Sequence, residues 1–289
     1  MNKKNSQFRK MLASREIIVA PGVYSALPAM IAENAGFQAV YMSGYTTAAV
    51  LLGVPDIGLI TMAEMAENAG RINDAVSVPV VADCDNGYGN ALNVMRSVRA
   101  YEKAGVSAIQ LEDQIFPKKC GHMAGKEVIS AEEMVGKIHA ARDAREDPDL
   151  VIIARTDART VVGFDEAVRR SNMYAEAGAD IVFLESPTSE DEMRQIPRLV
   201  NAPVMANMVE AGKSPLFTNQ QLEEMGYSLV IWPGSSAWST AKAVSKTMHE
   251  LRERGTTEGL VQDEMISWEG FNTLMKVPEY LETSKKYQR

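Results

Sequence analysis

"PVVADCDNGYGNALNVMRSVRAYEKAGVSAIQLE", residues 79 to 112, holds the repeating unit of this chain. An apolar run (79–83) enters a glycine-rich turn, a helical pattern follows (91–104), and a second apolar run (107–112) begins just after Gly105. Both runs are continuous rather than alternating. Strands buried on both faces of a parallel sheet read this way. Gly105 stands where a left-handed residue closes a helix.

The unit recurs in both directions. Further apolar runs are "IIVA" (17–20), "AVYM" (39–42), "VIIAR" (151–155), "DIVFLE" (180–185), "PVMAN" (203–207) and "SLVIW" (228–232). Helical patterns at 62–75, 131–145, 165–177 and 219–225 lie between them. "ENAGFQAV", "EKAGVSAI", "EAGADIV" and "EEMGYSLV" each end a helix on a glycine, Gly36, Gly105, Gly178 and Gly226, and enter a strand. Eight strands alternating with helices predict an α/β fold of the (β/α)8 barrel type. No G-x-G-x-x-G follows the first strand, which argues against a dinucleotide-binding open sheet. At 289 residues the chain suits one barrel domain, with 235–289 as the barrel end and a C-terminal helical arm. That arm is either a cap or a segment that packs on another subunit.

A net charge of −8, a pI near 5.1 and the lack of a basic block exclude nucleic acid as an expected partner. No apolar run approaches a membrane span, and the first residues carry no signal-peptide pattern, so no membrane partner is expected. Two cysteines make no disulfide framework, and a reducing, cytoplasmic setting is the expectation.

In such barrels chemistry gathers at the C-terminal ends of the strands. Those ends read Ser43-Gly44, Asp83 and Asp85, Glu112 and Asp113, Arg155 and Asp157, Glu185, and Asn207. Asp83 and Asp85 alternate in an extended segment and can aim at one point, with Glu112 joining from the next strand. Three carboxylates without a histidine cluster describe a hard oxygen site suited to Mg2+ or Mn2+ rather than zinc. Arg155 is a fixed guanidinium fork for a carboxylate, or else a tie to Asp157 or Glu185. Cys120 lies in "KKCGHMAG" (118–125), a loop with two glycines; Lys118, Lys119 and His122 are expected to lower its pKa and give thiolate near neutral pH. A mobile loop over a barrel mouth can close on substrate. His139 and His249 lie on helix patterns and read as surface or packing residues, and Cys84 as a small wall residue between the two aspartates.

"SGY" (43–45), "GVPDIGLIT" (53–61), "DCDNGYG" (83–89), "EDQ" with "PKKCGH" (112–122), "ARTDA" (154–158) and "ANMVEAGKSPL" (206–216) together resemble the isocitrate lyase and phosphoenolpyruvate mutase superfamily, in order over roughly residues 15 to 255. The resemblance implies a (β/α)8 barrel, a homotetramer in which the last barrel helix is exchanged between neighbours, a Mg2+ cofactor and a small 2-oxo acid or dicarboxylate substrate. It implies Asp85 in direct contact with Mg2+, and Asp83 and Glu112 holding its waters. Ser43, Gly44, Tyr45, Gly121 and Arg155 would bind substrate, with Glu185 and Asn207 lining the pocket. Cys120 matches the acid/base of the lyase branch, where the mutase branch has asparagine. Lys118 and His122 flank it in the catalytic loop. Asp56, Tyr41 or a metal-bound hydroxide would take the hydroxyl proton. Methylisocitrate lyases follow the CGH with arginine, whereas this chain has Met123, and Trp238 near the end of the eighth strand. That favours a substrate with two carboxylates and small alkyl groups. The expected reaction is retro-Claisen cleavage of a 2-alkylmalate, best 2,3-dimethylmalate to pyruvate and propionate. Methylisocitrate cleavage, oxaloacetate hydrolysis and phosphonopyruvate chemistry are the alternatives on the same scaffold. A dicarboxylate sensor without catalysis is the alternative of another class.

Overall fold

The computed structural model describes residues 2–14 and 16–288. Eight parallel strands, β1 (Ile18–Val23), β2 (Val40–Met42), β3 (Val80–Asp83), β4 (Ala108–Glu112), β5 (Val151–Thr156), β6 (Ile181–Leu184), β7 (Val204–Asn207) and β8 (Leu229–Trp232), close into a barrel in sequence order. β8 pairs with β1, Ile18 opposite Leu229. The expected fold is the observed one, and each apolar run of the sequence became a strand.

Alternate strand positions divide the core. Ile18, Ala20, Tyr41, Val81, Ala108, Ile153, Phe183, Met205 and Ile231 pack together in one cluster. The residues between them, among them Met42, Ala82, Ile109, Ile152 and Ala154, pack in another with the helices Met62–Ala75, Ala91–Lys103 and Ala131–Ala144. Both faces of every strand are apolar because both are buried, which explains the unbroken runs. Continued by the same period of two, the first set reaches Ser43, Asp83, Asp85, Glu112, Arg155, Glu185 and Asn207 at the C-terminal ends.

The four helix-closing glycines all have positive φ, from +84° to +104°. Three helices had no counterpart among the helical patterns of the sequence, Lys3–Ser14, Gly44–Leu52 and Glu190–Leu199, whereas Ala26–Asn34 is the helix that Gly36 was expected to close. The first is polar on average, and its order comes from tertiary contacts. Its Phe8 is fully buried in the strand cluster. Arg9 pairs with Asp180 at 2.7 Å, and Lys4 Nζ donates to the Val76 carbonyl at 2.7 Å. These partners precede β6 and β3, so the helix seals the N-terminal end of the barrel.

The chain divides into two compact units, Met1–Ser236 and Ala237–Arg289. In the second, the helix Ser235–Arg254 continues and ends at Gly255, and the helices Trp268–Leu274 and Val277–Lys285 follow. Lys246 pairs with Glu264 at 2.6 Å there. Val244, Met248, Trp268 and Tyr280 are exposed. Trp238, expected near the end of β8, lies on the helix Ser235–Arg254 instead.

Candidate active site

All of the strand-end residues named from the sequence, except Asn207, are buried, and they fall at one end of one barrel. Register explains their neighbours: Glu112 is the pairing partner of Arg155, and Asp83 of Gln110. Asp83 accepts from the Asp85 amide at 3.1 Å and from the Gly44 amide at 3.1 Å. A Cβ at Gly44 would stand 2.9 Å from Asp83 Oδ2, so the helix Gly44–Leu52 can set its N-terminus on the acids only through a glycine. Ser43 stands at the N-cap position of that helix without a capping hydrogen bond from its side chain, and Tyr45 on the first turn is 37% exposed. Asp85 has φ +45°, a left-handed turn held by its surroundings.

The sequence expectation for the loop needs correction. Lys118 does not serve the thiol: it is buried, with Nζ 2.6 Å from Asp56 Oδ1 and 2.7 Å from Asp85 Oδ1. Lys119 Nζ donates to the Gly125 carbonyl. His122 faces Glu185 Oε1 at 3.1 Å and accepts from the Lys213 amide at Nδ1. With its neighbours engaged elsewhere, Cys120 follows its burial, which pushes the thiol above its ordinary pKa against the opposing His122 amide. The group is therefore a protonated thiol at neutral pH, where the sequence had suggested thiolate. Tyr41 is corrected as well. Burial and the Asp83 charge push its phenol well above the usual range, which favours a donor over a base. Its hydroxyl lies 3.4 Å from Gln110 Oε1.

Arg155 is tied to Asp157 through Nε and Nη2, both at 2.9 Å, and its Nη1 lies 3.3 Å from Glu112 Oε2. Its guanidinium stands over the Phe183 ring, 5.4 Å from the centroid. Burial alone would push Asp157 up, but Arg155 and Lys126 hold it below the usual carboxylate range. Glu185 is likewise held well below it by Arg155 and His122 against burial. Asn207 Nδ2 lies 3.1 Å from Glu185 Oε2. Asp113, at a strand end in the sequence, serves structure instead. It accepts from Thr156 Oγ1, Tyr174 Oη, Arg170 Nη1 and the Asp157 amide at 2.7–3.0 Å.

Burial dominates the remaining acids. It pushes Asp85 up to about 7, with Lys118 opposing and Asp83 and Asp56 adding to the rise, and it raises Glu112 well above the usual range. Glu112 Oε1 and Oε2, Asp56 Oδ1, Asp85 Oδ1 and Asn207 Oδ1 are buried without a hydrogen-bond donor of good geometry; Lys118 and Arg155 meet three of them as ion pairs only. Such a concentration of unsatisfied buried acceptors marks a place for a ligand. Among the described residues no three acidic, cysteine or histidine side chains are grouped to hold an ion as they lie. The donor set still fits a hard divalent ion: it is all oxygen and buried, and two acids of the site, Asp56 and Asp85, already share one cation, the Lys118 ammonium. Asp83, Asp85 and Glu112 could hold it.

The loop lies closed over these groups. The Cys120 amide donates to the Asp56 carbonyl at 3.2 Å. A Cβ on Gly121 would stand 2.4 Å from Arg155 Nη2 and 2.8 Å from Glu185 Cδ, so a glycine lets the backbone rest on both. Two residues that the sequence did not single out meet it there. Lys126, buried, donates to the Gly121 carbonyl and to Asp157 Oδ1, and Ser186 lies near the same carbonyl. Nothing in a polar, glycine-rich stretch signals that a lysine in it will be buried.

A profile of the phosphoenolpyruvate phosphomutase family matches residues 8–252. The chain belongs to the phosphoenolpyruvate mutase/isocitrate lyase superfamily. It is 50% identical to a 2,3-dimethylmalate lyase of Eubacterium barkeri over 98% of this chain and 97% of that one. It is 46% identical to a 2-methylisocitrate lyase of Aeropyrum pernix, over 94% of this chain and 87% of the relative. A crystal structure of 2,3-dimethylmalate lyase superposes with a TM-score of 0.93 at 35% identity, covering 99% and 96% of the two chains. A phosphonopyruvate hydrolase solved with oxalate and Mg2+ superposes with a TM-score of 0.89 at 32% identity, covering 99% of each.

Proposed function

We propose that the protein is a divalent-ion-dependent carbon–carbon lyase that cleaves a 2-alkylmalate, best 2,3-dimethylmalate, to pyruvate and propionate. The observation that carries this reading is the place of Cys120, on a loop closed over buried acids and Arg155, where burial raises the thiol above its ordinary pKa. A carbanion needs an acid, and an un-ionised thiol is one. The likeness to the dimethylmalate lyase of Eubacterium barkeri supports the substrate class.

Asp83, Asp85 and Glu112 would hold Mg2+ or Mn2+, which when bound supplies Lewis-acid stabilisation of negative charge on the 2-oxo acid. Arg155, fixed by Asp157, offers Nη1 to a substrate carboxylate. The backbone of Ser43, Gly44 and Tyr45 presents a helix N-terminus to the same anion. Asp56 is the side-chain base left for the C2 hydroxyl proton once Tyr41 is read as a donor. The C2–C3 electron pair moves to C3 as the C2 carbonyl forms. The Cys120 thiol then gives its proton to C3, and the thiolate is reprotonated from water when the loop opens. Glu185, His122, Gly121 and Asn207 shape the wall beneath the loop. Met123 in place of arginine favours a dicarboxylate over a tricarboxylate. A homotetramer built through the C-terminal helices, and a cytoplasmic setting, belong to this reading. Among the described residues no helix is long and apolar enough to cross a membrane.

Release of pyruvate from a panel of malate analogues with Mg2+ tests the reading. Turnover of 2,3-dimethylmalate above that of methylisocitrate is expected, and oxalate from oxaloacetate as the dominant activity would overturn it. Cys120→Ala is expected to lower kcat by about 10²–10⁴-fold while pyruvate and Mg2+ binding persist.

A further inference from the structure

We propose that Lys126 is the latch of the closed loop, a positioning residue that sets the Cys120 thiol and the Arg155 guanidinium from one shared carboxylate. The inference rests on the lyase reading for its kinetic consequence, but its geometry stands without it.

Lys126 is six residues beyond Cys120 and is buried. Its ammonium donates to the Gly121 carbonyl at 2.5 Å and to Asp157 Oδ1 at 2.7 Å. Asp157 Oδ1 also accepts from Arg155 Nη2, and Oδ2 from Arg155 Nε. One carboxylate thus orients the guanidinium and anchors the loop. Asp157 is in turn held by its amide on Asp113, which Arg170 and Tyr174 fix from the helix Phe164–Glu176. The anchor is therefore part of the rigid barrel.

The Gly121 carbonyl has a second neighbour, Ser186 Oγ at 3.2 Å. That hydroxyl has one proton, and Glu185 Oε1 lies nearer, at 2.8 Å, with a full charge. The proton goes to the carboxylate, so Lys126 is the donor on which the carbonyl depends. Because Gly121 adjoins Cys120, loss of this bond loosens the seat of the thiol, with the Cys120 amide still on the Asp56 carbonyl, and loop opening must break both. The other clasp, His122 between Glu185 and the Lys213 amide, holds the loop through a side chain one residue on, whereas Lys126 bonds the Gly121 carbonyl oxygen itself.

The test compares wild type with Lys126→Met, Lys126→Ala and Lys126→Arg in the full chain. The readouts are iodoacetamide labelling of Cys120 followed by mass spectrometry, deuterium exchange of residues 118–126, and steady-state kinetics with 2,3-dimethylmalate. The labelling rate of Cys120 in Lys126→Met is expected to rise by about ten- to a hundredfold, the equivalent of one lost charged hydrogen bond. Exchange in 118–126 should quicken, and kcat should fall more than KM changes. Lys126→Arg, which keeps a charged donor, should restore part of the protection. A folded Lys126→Met protein with wild-type labelling and loop exchange overturns the latch. If that variant fails to fold, the same comparison on Lys126→Ala, which has no donor, decides: unchanged labelling and loop exchange overturn it. Labelling and exchange need no substrate, so a wild-type enzyme inactive on malates would sink the lyase reading and leave the latch to stand or fall by itself.

Discussion

The two ends of the barrel carry similar residues to opposite purposes. At the N-terminal end, the helix Lys3–Ser14 brings charged groups that find partners. Arg9 meets Asp180 and the Pro148 and Leu150 carbonyls, Lys4 meets Asn73 and Val76, and Asn5 meets Asp147. At the C-terminal end, Asp56, Asp85, Glu112 and Asn207 are buried with acceptors that no donor satisfies properly. Left-handed residues follow strands there, at Asp85 and Ser186. One end is built to hold and the other to bind. A buried acid without a donor costs free energy, and its persistence where chemistry is expected points to function, not stability.

The sharpest way to break the comparison is Glu112→Gln. We expect divalent-dependent turnover to fall by about 10²–10³-fold, the scale of losing one preorganised electrostatic group. The melting temperature without added metal should not drop, since an amide replaces a poorly partnered acid; a fall of several degrees in calorimetry would show that Glu112 is structural. Phe8→Ala should do the reverse. Emptying the plug of the sealed end should cost about 3–5 kcal/mol in denaturant unfolding, while kcat per folded molecule stays unchanged. A loss of kcat as large as the loss of stability would mean that the two ends are coupled. The smallest effect concerns Cys120. A thiol whose pKa is raised by burial carries less thiolate at a given pH. Its alkylation at neutral pH should therefore be slower than that of free cysteine, and should keep climbing by about tenfold per pH unit past the ordinary thiol pKa. A plateau near neutral pH would restore the thiolate reading.

These contrasts mark how far the chain could be read in one dimension. The eight strands were legible because each is an unbroken apolar run, and four helix ends because each closes on a glycine in the left-handed region. The helix Lys3–Ser14 was not legible: its sequence is polar, and only Phe8, with Met11 and Leu12 packed beside it at the edge, meets the strand cluster. At the site, residue types and strand ends named Ser43, Asp83, Asp85, Glu112, Arg155, Glu185 and Asn207. Pairing partners were out of reach. "KKCGH" suggests cations around a thiol, yet Lys118 reaches Asp56 and Asp85, His122 reaches Glu185, and Lys126, unremarkable in sequence, holds the loop.

Sequence by itself determined the barrel and its chemical inventory, because hydrophobic periodicity and glycine placement are local and follow from burial on both faces of a strand. Tertiary structure alone decided which charge meets which. Ion pairing and desolvation depend on distances of a few ångströms between groups far apart in the chain, and those distances set the protonation of Cys120.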